Sequence, residues 1–133
     1  SDSEISKFCD LTIAPIVGPE VITGSTRMKC GTAEKMVLNM ISTGVMIKVG
    51  KIYQNLMIDV LPSNEKLVNR AIRIIQITTG KDKEQSEELL KEAHNKVPVA
   101  IVMGKTGKDF NSATKLLKTN DQNVGKVLNS QKG

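Results

Sequence analysis

Between Gly18 and Lys35 the sequence reads GPEVITGSTRMKCGTAEK. Two hydroxyls, Ser25 and Thr26, stand beside the guanidinium of Arg27 and the ammonium of Lys29, with Gly24 and Gly31 on either side. Arg offers a planar fork that suits phosphate or carboxylate, and Lys adds a point charge. The glycines allow close backbone approach and unusual dihedrals. Thr32 reads as the N-cap of a following helix, whose free N–H groups and partial positive charge would point back at the loop. Together these residues form a candidate anion site. The same pattern also serves a plain helix entry in which Arg27 pairs with a structural carboxylate. Glu20 is the one acid in the loop. It either pairs with Arg27 or holds a sugar hydroxyl, and residue types alone leave both readings open. The order Gly-x-x-x-x-Gly-Lys-Ser/Thr is absent, so the stretch is not a Walker A loop.

The elements around this loop follow from periodicity. Leu11–Val17 (LTIAPIV) is short and mostly apolar and ends at Gly18-Pro19, the pattern of a buried strand. A strand-to-helix junction in an open α/β sheet lies at the carboxyl ends of the strands, where ligands bind. One strand cannot satisfy its own backbone groups, so its neighbours are expected elsewhere, in further sequence or another chain. From Thr32 onward, Val37, Leu38, Ile41, Val45 and Val49 recur at helical spacing, and Gly50 is the expected C-cap. Most other positions of this helix are apolar as well, which predicts burial nearly all round. Residues 55–62 (NLMIDVLP) read as extended. A second helix starts at a Ser63 or Asn64 cap, places Leu67, Ala71, Ile74 and Ile75 on one face, and stops at Gly80.

Beyond Gly80 the sequence repeats itself. TGKD occurs at 79–82 and 106–109, and LLK at 89–91 and 116–118. Val97 answers to Val124, Ala100 to Val127 and Ile101 to Leu128, each pair 27 residues apart. Each unit reads as a helix, a polar turn (EAHNK, TNDQN) and a second helix. One such pair cannot bury its apolar face alone but two stacked pairs can, so residues 81–130 are expected to form a small helical module. Pro98 falls in the first turn of its helix, where a missing N–H costs little.

Composition narrows the function classes. A chain of 133 residues fits one domain or two small modules. Phe8, Tyr53 and Phe110 are the whole aromatic content, too few for the stacking platforms of single-stranded nucleic-acid binders. The net charge of +5 is spread evenly: nine basic against seven acidic residues in 1–80, ten against seven in 81–133. That describes a mildly basic surface rather than a nucleic-acid stripe. His94 is the lone histidine and Cys9 and Cys30 the only cysteines, so a Ser-His-Asp triad and a Cys/His metal site lack their parts. Two reduced thiols in a cytosolic protein is the simpler reading, and His94 reads as a turn residue at a helix end. No secretory signal and no run long enough to span a membrane is present. The start SDSEISKF, without an initiator Met, reads as a processed protein or an excised fragment.

The stretch from Gly18 to Lys35 resembles the signature of the N-acetylmuramic acid 6-phosphate etherases and the related glucokinase regulatory proteins: Gly-Pro-Glu, two residues, Thr-Gly-Ser-Ser/Thr-Arg, an aliphatic residue, Lys, small residues, then Lys. Cys30 stands where a smaller residue is usual. The following MVLNMISTGVMIKVGKIYQNLMIDVLPSNEKL is similar to the etherase branch, so the resemblance covers almost the whole chain. It implies a mainly α chain. Residues 1–80 would be the C-terminal part of an α/β sugar isomerase (SIS) domain with one remaining strand, and 81–133 a ubiquitin-associated-like helical tail. The family's Ser-rich phosphate loop and acid/base Glu would belong to an N-terminal half not present here.

The implied activity is that of a carbon–oxygen lyase. It cleaves the lactyl ether of N-acetylmuramic acid 6-phosphate without metal or redox cofactor, in a cytoplasmic homodimer with no nucleic acid or membrane partner. Glu20, Ser25, Thr26, Arg27 and Lys29 are then the expected substrate-lining groups. Lys66, in SNEKL, matches the family pattern as a cation reaching the sugar, or else is a solvent-facing Lys in a first turn. A non-catalytic sugar-phosphate regulator is the other reading. The regulators resemble two tandem SIS domains, and this shorter chain favours the etherase. Self-association is expected from an unpaired strand and an all-apolar helix.

Overall fold

The computed structural model describes residues 3–131. The chain divides into two compact units, one ending at Thr43 and one beginning at Gly44. It is mainly helical: α1 (Lys29–Lys48), α2 (Glu65–Thr79), α3 (Lys83–Glu92), α4 (Val97–Thr106), α5 (Phe110–Thr119) and α6 (Val124–Ser130). The sheet among the described residues is one short hairpin, β1 (Ile52–Tyr53) against β2 (Leu56–Met57), antiparallel with Ile52 opposite Met57.

The loop and the first helix correct three expectations. Leu11–Val17 is not a strand. It carries no ladder, and Leu11 and Ile16 are 78% and 96% exposed. The apolar run has strand character, but a strand exists only where another backbone accepts its hydrogen bonds, and none among the described residues does. Likewise α1 is apolar on most sides yet has no buried residue; Leu38, Met40 and Ile41 stand at least half exposed. An all-round apolar pattern specifies a helix that other layers cover, and the described residues supply no such layer. The helix also begins at Lys29, three residues before Thr32, so Thr32 lies inside it rather than capping it.

The second unit holds the core. Ile58, Ala71, Ile75, Val97, Ala100, Ile101, Val102, Val124 and Val127 are essentially inaccessible to solvent. α2 packs on α3 and α4, and α4 on α5 and α6, so helices on both sides of Gly80 share one core. Local chemistry sets each boundary. The Asn64 side chain accepts the Leu67 N–H at 3.0 Å and opens α2, and Gly80, at φ 77°, closes it. Asp82 opens α3 in a capping box with Gln85. Lys51 and Asp59, 2.8 Å apart, close the base of the hairpin.

The 27-residue period is written into the backbone. Asp82 accepts from Gln85 N–H and Asp109 from Ser112 N–H. Thr79 Oγ1 donates to the Ile75 carbonyl and Thr106 Oγ1 to that of Val102. His94 and Asn95 take positive φ, and so do Asp121 and Gln122. In each turn the second of these donates its N–H to a helical carbonyl, Leu90 in one and Leu117 in the other. The repeat also reaches upstream of what the sequence motifs mark. Ile72, Ile74 and Ile75 of α2 are buried as their counterparts Val99, Ile101 and Val102 of α4 are.

Candidate functional site

The loop from Gly18 to Met28 leads into α1, and one acid organises the junction. Glu20 Oε2 accepts the Lys29 N–H and Oε1 the Cys30 N–H, both at 3.1 Å. These are free donors of the first helical turn. The carboxylate therefore occupies the position that the helix end would offer to a ligand anion, and it caps the helix in place of Thr32. Backbone donation from Cys30, then from Lys29, holds the Glu20 carboxyl below its ordinary value. Desolvation first, and then the Glu20 carboxylate, push the Cys30 thiol up.

The cations separate into two kinds. Lys29 turns its ammonium back onto the Pro19 carbonyl, 2.7 Å away, and so staples the loop to the helix start. Arg27 forms no ion pair among the described residues, and the Arg27–Glu20 pairing left open by the sequence is not made. The Ser25 N–H donates to the Ile22 carbonyl and the Gly31 N–H to that of Thr26, both at 3.0 Å. These turns fix the loop backbone; Thr26 and Arg27 are exposed and Ser25 is half-buried. Gly18 and Gly24 take φ 71° and 85°, the left-handed conformation that glycine adopts without strain.

The structure thus brings Glu20 and Lys29 together at the start of α1, with Ser25, Thr26 and Arg27 in the turns just before it. Beside them lies an open groove of about 310 Å³, lined by Ile13, Pro15, Val17, Cys30, Ala33 and Val37. Lys66 belongs to the other compact unit. It is exposed in the first turn of α2 and has no ion pair among the described residues. The capping role of Glu20 was not legible from spacing. It sits nine residues before the helix it caps, whereas capping patterns are sought in adjacent residues.

Residues 54–96 match the family model described as the C-terminal lid domain of glucokinase regulatory protein. Over 96% of its length the chain is 58% identical to the N-acetylmuramic acid 6-phosphate etherase of Lactobacillus gasseri and 52% identical to etherase 1 of Enterococcus faecalis. It is 51% identical, over 98% of its length, to the etherase of Clostridium botulinum. In sequence the chain is therefore similar to N-acetylmuramic acid 6-phosphate etherases along nearly its whole length. It spans 42–43% of the length of these relatives.

Proposed function

We propose that this chain is the C-terminal portion of a lyase that converts N-acetylmuramic acid 6-phosphate into N-acetylglucosamine 6-phosphate and D-lactate. The observation that carries the reading is identity of 51–58% along nearly the whole chain to proteins bearing that name. In this reading residues 1–80 complete a SIS domain whose other strands and helices come from the preceding half, and residues 81–133 form its ubiquitin-associated-like tail. The unpaired Leu11–Val17 segment and the uncovered α1 are what such a division would leave behind. The enzyme works as a cytoplasmic homodimer.

The chemistry is an elimination followed by a hydration. A base removes the proton at carbon 2 of the open-chain sugar, the carbon 3–oxygen bond breaks and lactate leaves with the electron pair. Water then adds across the resulting double bond, its hydroxyl to carbon 3 and its proton to carbon 2. A carboxylate of the preceding half serves as acid and base. In this chain, Arg27 is the free cation of the loop and binds the phosphate or the charge that develops in the transition state. Ser25 and Thr26 supply hydroxyl donors. Glu20 fixes the helix start and retains lone pairs for a sugar hydroxyl. Lys29 holds the loop in shape, and Lys66 reaches the sugar from α2, across the dimer interface.

The test is D-lactate release from N-acetylmuramic acid 6-phosphate by the chain alone and by the chain mixed with the N-terminal portion of the Lactobacillus gasseri relative. Release in the mixture alone is expected. A mixture whose parts associate but release no lactate would overturn the reading. It would also favour the second one, a non-catalytic sugar-phosphate regulator, which the match of residues 54–96 to a regulatory-protein lid supports.

A further inference from the structure

The 44–133 unit carries a second concentration of positive charge that the reading above does not use. Arg70 and Arg73 lie three residues apart on α2 and so share one edge of the helix. Both are exposed, and neither forms an ion pair among the described residues, whereas Lys51, Lys83 and Lys126 each have a carboxylate partner. The two guanidiniums line a cleft of about 320 Å³ between the hairpin and α2, together with Asn55, Met57 and Ile77. Among the described residues, no carboxylate lines it. Its apolar part is open to solvent, with Met57 51% and Ile77 56% exposed, while Ile74 beneath is buried.

We propose that this cleft binds a small phosphate-bearing molecule. The phosphate accepts hydrogen bonds from the Arg70 and Arg73 forks, whose like charges repel until an anion bridges them. The carbon skeleton lies against Met57 and Ile77, and the Asn55 amide, both donor and acceptor, meets a hydroxyl. A bare carboxylate would engage the guanidiniums but leave the apolar wall wet. A purely apolar ligand would leave two cations desolvated without a partner. The cleft fits a molecule with one charged end and one face of C–H groups. All of its lining belongs to the 44–133 unit, so the proposal is independent of the Gly18–Lys35 loop and of the lyase reading.

The test is a nuclear magnetic resonance titration of the whole chain with inorganic phosphate, glucose 6-phosphate and glucose, at constant ionic strength held with sodium chloride. Both phosphate-bearing probes are expected to shift the Nε–H signals of Arg70 and Arg73 to saturation. Glucose 6-phosphate alone should also move the Met57 methyl and the Asn55 side-chain amide, and glucose should move none of them. Arg70→Gln and Arg73→Gln should each weaken binding roughly tenfold or more, as expected for losing a charged hydrogen-bonding partner. Arg27→Gln should leave it unchanged. Both arginines are exposed, so either variant should keep the native amide spectrum. The proposal is overturned if the shifts fail to saturate, if chloride reproduces them, or if both variants bind as the native chain does.

Discussion

Gly50 is where the end of α1 and the start of the hairpin meet the turn between α5 and α6. It is buried and takes φ 76°. A methyl group there would lie 2.8 Å from the Gln122 carbonyl oxygen, 3.0 Å from its carbon and 3.2 Å from the Asn123 Cα. All three are backbone atoms, so no side chain can swing away. Gly50→Ala thus carries two costs. A left-handed residue with a Cβ costs about 1–2 kcal/mol, and overpacking against fixed atoms adds about 1–3 kcal/mol. Reduced freedom of the unfolded chain returns about 0.4–1 kcal/mol. The net expectation is a loss of roughly 2–4 kcal/mol.

Gly107 provides the control. Its φ is 67°, but an added Cβ meets nothing within 4 Å. Gly107→Ala should therefore show only the conformational part, about 1 kcal/mol net. Urea denaturation followed by far-ultraviolet circular dichroism and by the fluorescence of Tyr53, the only tyrosine, would compare the two. Equal losses for Gly50→Ala and Gly107→Ala would refute the close approach of Gly50 to the second turn.

Other outcomes follow from single sites. The Ser86 hydroxyl is fully buried without a hydrogen-bond partner among the described residues, and its repeat counterpart 27 residues on is the buried Ala113; Ser86→Ala should stabilise the chain by roughly 1 kcal/mol in the same denaturation experiment, since the unmade bond is removed with its donor. Glu20 should titrate below the ordinary glutamate range when its carboxyl carbon is followed by nuclear magnetic resonance. Because its folded value is depressed, its contribution to the start of α1 is complete above the unfolded value and is lost as pH falls through the folded one. The Lys29 and Cys30 amide signals should move with it, and an ordinary titration would sink the capping assignment. In the reconstituted lactate assay, Arg27→Gln should lower kcat/KM by about a hundredfold, in line with losing one charged donor to the reacting substrate, while circular dichroism stays unchanged. A variant with native activity would remove Arg27 from the site.

The helical unit was readable because its causes are local. Asn64, Gly80 and Pro98 act within a few residues of themselves, and α2 opens at Asn64 and closes at Gly80 as the sequence dictates. The two turns at 93–95 and 120–122 were marked by the 27-residue repeat. Where sequence reasoning failed, the cause was remote. Leu11–Val17 has the composition of a buried strand, but burial and pairing are properties of neighbours, and the described residues provide none. The apolar surround of α1 likewise states a need for cover, not its presence. At the loop, the residue types were legible and their connections were not. Arg27 was the obvious partner for Glu20, yet two backbone N–H groups took the carboxylate, and backbone donors leave no mark in a sequence.

The doubled Thr-Gly-Lys-Asp junction has a consequence for how such a module changes over evolutionary time. α4 closes one unit and opens the next, so it is shared property rather than a boundary. Excising one period would join Thr79 directly to Gly107, and the junction would again read Thr-Gly-Lys-Asp, with its cap and its left-handed glycine in place. Duplicating one period would do the same. Gain or loss in steps of 27 residues invents no new turn, whereas any other length breaks a cap or rotates an apolar face into water. The stack can therefore grow in whole units while its chemistry of assembly stays fixed, whereas loss of one would leave a helix pair that cannot bury its apolar face alone.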